Sequence, residues 1–212
     1  MTRTPQPDDP LQHWLAALAA PTAAPAGGAA AALAGALGAA LTRMVAGLTL
    51  ARPRYAEVHD QAAAIADQAE HLQTTMLALA SRDAEAFAGF TTALALPAGT
   101  GEERQARERA KTEALRHGAE VQLELMRHLV AAADLAETMA QRGLASAIGD
   151  AATAAFLAAA GARSAYWAVR SNLQHATDKQ SAERATTAAR DVLERIEAVE
   201  RRVRQLLAQR VP

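Results

Sequence analysis

A chain of 212 residues, 50% hydrophobic but only 3% aromatic, is long enough for one sizeable core filled mostly by small aliphatic groups. Its net charge of −1 supplies no general attraction to phosphate backbones or anionic lipid, which argues against nucleic acid and membrane as partners. Cysteine is absent, so disulfides and thiolate metal sites are excluded, and the cytoplasm is the default compartment.

Strand signals are almost missing, and the punctuation is that of long helices. Asp8, Asp9 and Pro10 open a short first helix through Ala20, with Leu11, Trp14, Leu15 and Leu18 predicted on one face. Asp8 and Asp9 sit just ahead of its apolar run, which argues against a signal peptide. Pro21 to Gly28 reads as a loop that opens directly into a second helix ending near Leu50. That segment is free of charge from Pro21 to Thr42 and long enough for a membrane span. Its alanine and glycine content, with few large aliphatics, instead predicts a closely packed interior helix.

Pro53 suits the first turn of a third helix, which runs to about Leu94 before Pro97 and the turn Ala98-Gly99-Thr100-Gly101. A fourth helix starts after Gly101 with a charged, solvated stretch, carries Val121, Leu125, Leu129, Ala132 and Met139, and stops at Gly143. The fifth, from about Ser146 to Leu173, is apolar around most of its circumference and belongs in the middle of a bundle or at a subunit interface. The last, from about Ser181 to Gln209, repeats Val192, Ile196, Val199, Val203 and Leu206 in heptad steps, as an outer or dimer-forming helix does. The prediction is an all-α single domain over residues 1–212: about five long helices plus a short N-terminal one.

Within the third helix one residue breaks the pattern. Tyr55, Val58, Ala62, Ile65, Ala69, Leu72, Met76 and Leu79 recur in steps of three and four, and the next seam position is Asp83, followed by Ala86 and Phe90. An ionised group on a packed seam needs a partner, a cavity or a shifted pKa. Asp83 is therefore either a chemical group or a wet or arginine-paired carboxylate where the bundle ends. Asp150, near the start of the most apolar helix, is a second carboxylate able to activate water or steady a cationic carbon. Arg163 and Arg170 lie seven residues apart on that helix; they either receive a substrate carboxylate or pair with acids across a subunit interface.

The loop Pro25-Ala26-Gly27-Gly28 leads into a helix N-terminus, where free N–H groups and the helix dipole favour an anion or a polarised carbonyl. Glu113 with His117 and Glu124 with His128 have the wrong spacing for a bundle di-metal site, so no metal is expected. No G-x-S-x-G, H-E-x-x-H or Walker pattern is present.

Several strings, in order, resemble one family. Pro25-Ala26-Gly27-Gly28-Ala29 with Ala30 to Ala40 is similar to a P-G-G-G-[SG] loop and its alanine-glycine helix. Met44-Val45, Leu48-Thr49 and Arg52-Pro53-Arg54-Tyr55 are similar to M-V-x-x-L-T-x-G-K-K-K-Y. Asp83-Ala84-Glu85-Ala86-Phe87 matches D-A-E-A-F, and Leu96-Pro97 matches an L-P before the next helix. Ala147-Ile148-Gly149-Asp150 resembles N-x-I-S-D, and Gly161-Ala162 through Val169-Arg170-Ser171-Asn172-Leu173 resembles G-A-x-x-x-N-V-R-I-N-L. The set, covering essentially the whole chain, resembles the cyclodeaminase/methenyltetrahydrofolate cyclohydrolase family.

The resemblance implies an all-helical, usually dimeric enzyme of folate one-carbon metabolism, with a tetrahydrofolate derivative as substrate and no tightly bound cofactor. The reaction is either opening of 5,10-methenyltetrahydrofolate by water to the 10-formyl derivative, or closure of 5-formiminotetrahydrofolate with loss of ammonia. Because these residues include no formiminotransferase segment, the cyclohydrolase is expected first, the cyclodeaminase second, and a lapsed or repurposed helical dimer third. Asp150 and Asp83 become the catalytic candidates. Gly27, Gly28, Arg52, Arg54, Tyr55, Arg163, Arg170 and Asn172 become the substrate-binding candidates, with Arg52 and Arg54 facing the folate's glutamate carboxylates. The chain departs from the family pattern at Ala26, Ala29, Ala88, Ser146 and Ala168, and Gln122 replaces a proline, which removes an expected kink.

Overall fold

The structure, a computed structural model, describes residues 4–174, 176 and 178–211. Six helices follow one another: α1 (Leu11–Ala19), α2 (Gly27–Leu50), α3 (His59–Leu94), α4 (Gly101–Arg142), α5 (Ile148–Leu173) and α6 (Lys179–Arg210). Short 3₁₀ segments at Pro53–Val58 and Ala145–Ala147 lead into α3 and α5. No strand occurs among the described residues.

The ends follow local chemistry. Thr100 and Glu103 form a capping box on α4: the Thr100 hydroxyl accepts from the Glu103 N–H at 3.1 Å, and Glu103 accepts from the Thr100 N–H at 2.9 Å. Asp178 caps α6 through the Ser181 N–H at 3.0 Å. The predicted single helix from Pro53 is in fact bent, because Tyr55 leaves helical dihedrals (φ −106°, ψ 16°) before α3 begins. The N-cap of α2 is Ala26, which makes no side-chain hydrogen bond to the helix.

α4 touches each of the other long helices, and α5 packs on α2, α4 and α6. The α3 seam is buried at Val58, Ala62, Ile65, Ala69, Leu72, Met76, Leu79 and Ala86, as its spacing predicts. Small residues set the closest approach. A Cβ on Gly38 would stand 2.8 Å from the Ala154 carbonyl oxygen, and one on Gly161 would stand 2.9 Å from that of Ala31. Residue numbers thus rise along α2 as they fall along α5, so the two helices run antiparallel. Both are long and apolar enough to cross a membrane, and more than half of each such stretch is buried inside the bundle.

α1 differs from expectation. Trp14 enters the core, its indole N–H donating to the Gln6 carbonyl at 3.2 Å, and Leu18 packs half-buried beside it, while Leu11 and Leu15 are more than half exposed.

Candidate active site

Asp83 projects from α3 against the first turn of α2. Its carboxylate accepts a hydrogen bond from Gln122 Nε2 of α4 at 2.6 Å and another from the Ala29 N–H. One of the four free N–H groups of that turn is therefore satisfied by a neighbouring helix rather than by a local cap. Gly28 makes the approach possible: a Cβ there would lie 2.3 Å from Gln122 Nε2 and 2.5 Å from Asp83 Oδ1. Burial pushes the Asp83 carboxyl above its ordinary value, against the two hydrogen bonds that favour the charged form. A half-buried carboxylate poised toward neutrality, at the positive end of a helix, is equipped to take a proton from water and to hold it.

Gln122 was legible in sequence only as a missing proline. It is fully buried, and among the described residues it is the one side chain donating to Asp83. Ser164 of α5 closes the same corner, its hydroxyl 3.5 Å from the Gly27 carbonyl oxygen. One turn further along α5, Trp167 is 63% exposed, with its ring edge-on to Tyr166 and the Arg170 guanidinium 5.0 Å from its centre. At this same end Asn172 approaches Gly118, whose missing Cβ would stand 2.9 Å from Asn172 Nδ2. Asn172 also lines a cavity of about 270 Å³ with Leu115, Arg116, Ala119, Leu173 and Ala182.

The remaining candidates lie elsewhere. Gly28 and Arg52 are separated by the length of α2, about 36 Å at 1.5 Å per residue. Ser164 and Asp150 are separated by about 21 Å along antiparallel α5. Asp150, Arg52, Arg54 and Tyr55 therefore occupy the opposite end of the bundle from Asp83, Gly27 and Gly28, so the two catalytic candidates, Asp83 and Asp150, do not meet within one chain. Asp150 is an exposed acid in the first turn of α5, where the helix dipole welcomes it. Tyr55 accepts the Ala145 N–H on its hydroxyl at 3.1 Å and carries Arg54 over its ring at 5.0 Å, so it pins the α4–α5 connection.

Arg163 is also corrected as a free receptor for a carboxylate. It bonds Glu200 of α6 and lies 3.5 Å from Glu197, and Glu200, itself buried, takes Arg204 as well. These pairs form within one chain, so the partner acids are not those of a second subunit. Arg170 instead points to the rings of Tyr166 and Trp167.

A sequence profile described as Formiminotransferase-cyclodeaminase matches residues 10–191. The chain belongs to the formiminotransferase-cyclodeaminase family. It is 33% identical over 172 residues to a protein of Methylorubrum extorquens named methenyltetrahydrofolate cyclohydrolase, an alignment spanning 81% of this chain and 83% of that one. Its fold superimposes on the crystal structure of formiminotetrahydrofolate cyclodeaminase from Thermotoga maritima with a TM-score of 0.86 at 24% identity, covering 95% and 97% of the two chains. The family resemblance carried by the motifs and the all-helical architecture are thereby established. In this family member, the D-A-E-A-F string delivers Asp83 to the glycine turn, joining two motifs that lie more than fifty residues apart in sequence.

Proposed function

We propose that this chain is a folate-dependent one-carbon enzyme that hydrolyses 5,10-methenyltetrahydrofolate to the 10-formyl derivative, with Asp83 as general base. The observation that carries this reading is the seating of a half-buried carboxylate of raised pKa against Gly28 and Ala29 at the start of α2. The similarity to the Methylorubrum cyclohydrolase supplies the substrate class.

Water attacks the cationic bridging carbon and passes a proton to Asp83, forming a neutral tetrahedral centre. Asp83 then returns that proton to N5 as the C–N5 bond breaks, while the new hydroxyl loses its own proton to solvent and becomes the formyl oxygen. Before attack, the ionised carboxylate also offsets the positive charge on the carbon. Closure of the formimino derivative with loss of ammonia passes through a centre of the same kind, and the family membership supports it as the second reading.

A homodimer belongs to this proposal. α2 carries one charged residue, Arg43, which pairs with Glu70 at 3.1 Å; its outer face presents Leu37, Met44 and Leu48, all more than a third exposed. A two-fold axis perpendicular to α2 near its middle lays two such helices antiparallel. That places Arg52 and Arg54 of one protomer near the Asp83 end of the other, where they would meet the substrate's glutamate carboxylates. The test is direct: purified protein is mixed with 5,10-methenyltetrahydrofolate and the loss of its near-ultraviolet absorbance is followed. Acceleration that disappears in Asp83→Asn is expected; no acceleration and no folate binding would overturn the assignment, and ammonia release from the formimino substrate alone would select the second reading.

A further inference from the structure

Gln122 is placed oddly for a residue that only packs. It is 0% exposed in the middle of α4, between Val121 and the core leucines, and its Oε1 has no hydrogen-bond partner among the described residues. A buried acceptor without a donor is a net cost, which a leucine or methionine of similar volume would not incur. Only the other end of the amide is used: Nε2 reaches Asp83 Oδ1 at 2.6 Å. Side chains that break a local rule in this way are expected where function demands them.

We propose that Gln122 is a positioning residue for Asp83, fixing the carboxylate on the glycine turn and holding it ready to ionise inside the bundle. This rests on the proposed role of Asp83. A carboxylate offers about four lone-pair positions. Gln122 and the Ala29 N–H take two from different directions, which sets the plane of the group and leaves the others for water and substrate. The same two donors are its means of staying charged. From α2 the neighbours are Gly28 and Ala29, which carry no charge. From α4 the facing side chain is Gln122, and the charged pair across this interface, Arg82 and Glu124, is closed on itself at 2.9 Å. Removing the amide donor therefore leaves burial opposed by the Ala29 N–H alone.

The experiment is a titration of Asp83 by its ¹³Cγ resonance in the intact, ligand-free protein, comparing wild type with Gln122→Met. The proposal expects the Asp83 titration to move upward in the variant while the fold is retained, since loss of the orphaned oxygen offsets loss of the donor to Asp83. The acid limb of kcat/KM is expected to move up in parallel, and kcat to fall about tenfold or more with little change in KM, against the ~10²–10⁴-fold of a general base itself. An unmoved Asp83 titration in the folded variant would overturn it and leave Gln122 as packing. Should methionine not be tolerated, Gln122→Asn withdraws the donor by one methylene and the same upward movement is expected. The titration does not depend on turnover. If Asp83→Asn leaves hydrolysis intact, the base assignment fails while the resonance still decides what Gln122 does to Asp83.

Discussion

Gly28 and Asp83 occupy space that no alanine could share: the Cβ that Gly28 lacks would fall 2.5 Å from the Asp83 carboxylate oxygen and closer still to Gln122. Gly28→Ala must push the carboxylate off the α2 N-terminus or bend the turn. Overpacking of a fitted interior costs about 1–3 kcal/mol. The variant is expected to lose that much in urea unfolding and to lose most of its cyclohydrolase rate. Gly27→Ala, whose Cβ would come no nearer than 4.0 Å to Ser164, is expected to unfold like wild type. Equal behaviour of the two variants would separate the glycine from the carboxylate.

Asp83 should also be a stability liability. Burial raises its pKa from 3.8, so between 3.8 and its folded value the native chain binds more protons than the unfolded chain. Stability then falls as pH rises through that window, and the cost is fully present above it. Asp83→Asn carries no such titration. The variant is expected to be more stable than wild type at pH 8, with the gap closing as pH falls toward 3.8, and to be inactive. Such opposition between stability and activity is common where a site is built from unfavourable groups. Matched urea midpoints for the two proteins at pH 8 and at pH 4 would contradict the linkage.

Arg163 and Glu200 join α5 to α6 with the carboxylate inside the protein. Arg204 still contacts Glu200 from solvent, so Arg163→Gln leaves a buried acid half-partnered rather than alone. The loss is expected at about 1–3 kcal/mol, below the 3–5 kcal/mol of a fully orphaned buried charge. Chemical denaturation with an unchanged m-value would show it. A change in KM that exceeds any change in stability would restore Arg163 as a substrate ligand.

These outcomes trace what periodicity can and cannot carry. The α3 seam was readable from Val58 to Leu79 because burial on a helix recurs every 3.6 residues, and the same rhythm exposed Asp83 as an exception. Periodicity gives a face, not a height. Asp83 and Asp150 both sit on packed helices, yet the antiparallel run of α2 and α5 puts them at opposite ends, a direction that contacts such as Gly38 against Ala154 and Gly161 against Ala31 reveal. Arg163 was legible as a charge on an apolar helix, but its acids come from α6, some 35 residues on, at positions that a heptad reads as solvated. Gln122 carries no motif at all, since its meaning is a contact among three helices. On α1, Leu11 and Leu15 follow the spacing of Trp14 and Leu18 without their contact with the core.

The outer face of α2 makes the last prediction. Leu37 lies two turns before Met44 and Leu48 one turn after it, all on one face, and the charge of Arg43 is drawn aside to Glu70 on α3. Exposed apolar stripes of this kind mark association sites. In the proposed two-fold arrangement, a charge at Met44 meets its own copy or apolar surface across the axis and pays desolvation without a partner. Leu37→Arg combined with Met44→Arg is expected to yield a folded monomer, seen as helical circular dichroism with halved mass in sedimentation. Since Arg52 and Arg54 are about 36 Å from Gly28 within one chain, that monomer should bind the folate glutamate tail weakly and raise KM sharply, even with Asp83 and Gln122 undisturbed. A monomer with the wild-type KM would show that the two ends of the bundle act independently, and that the arginines beside Tyr55 serve the fold rather than the substrate.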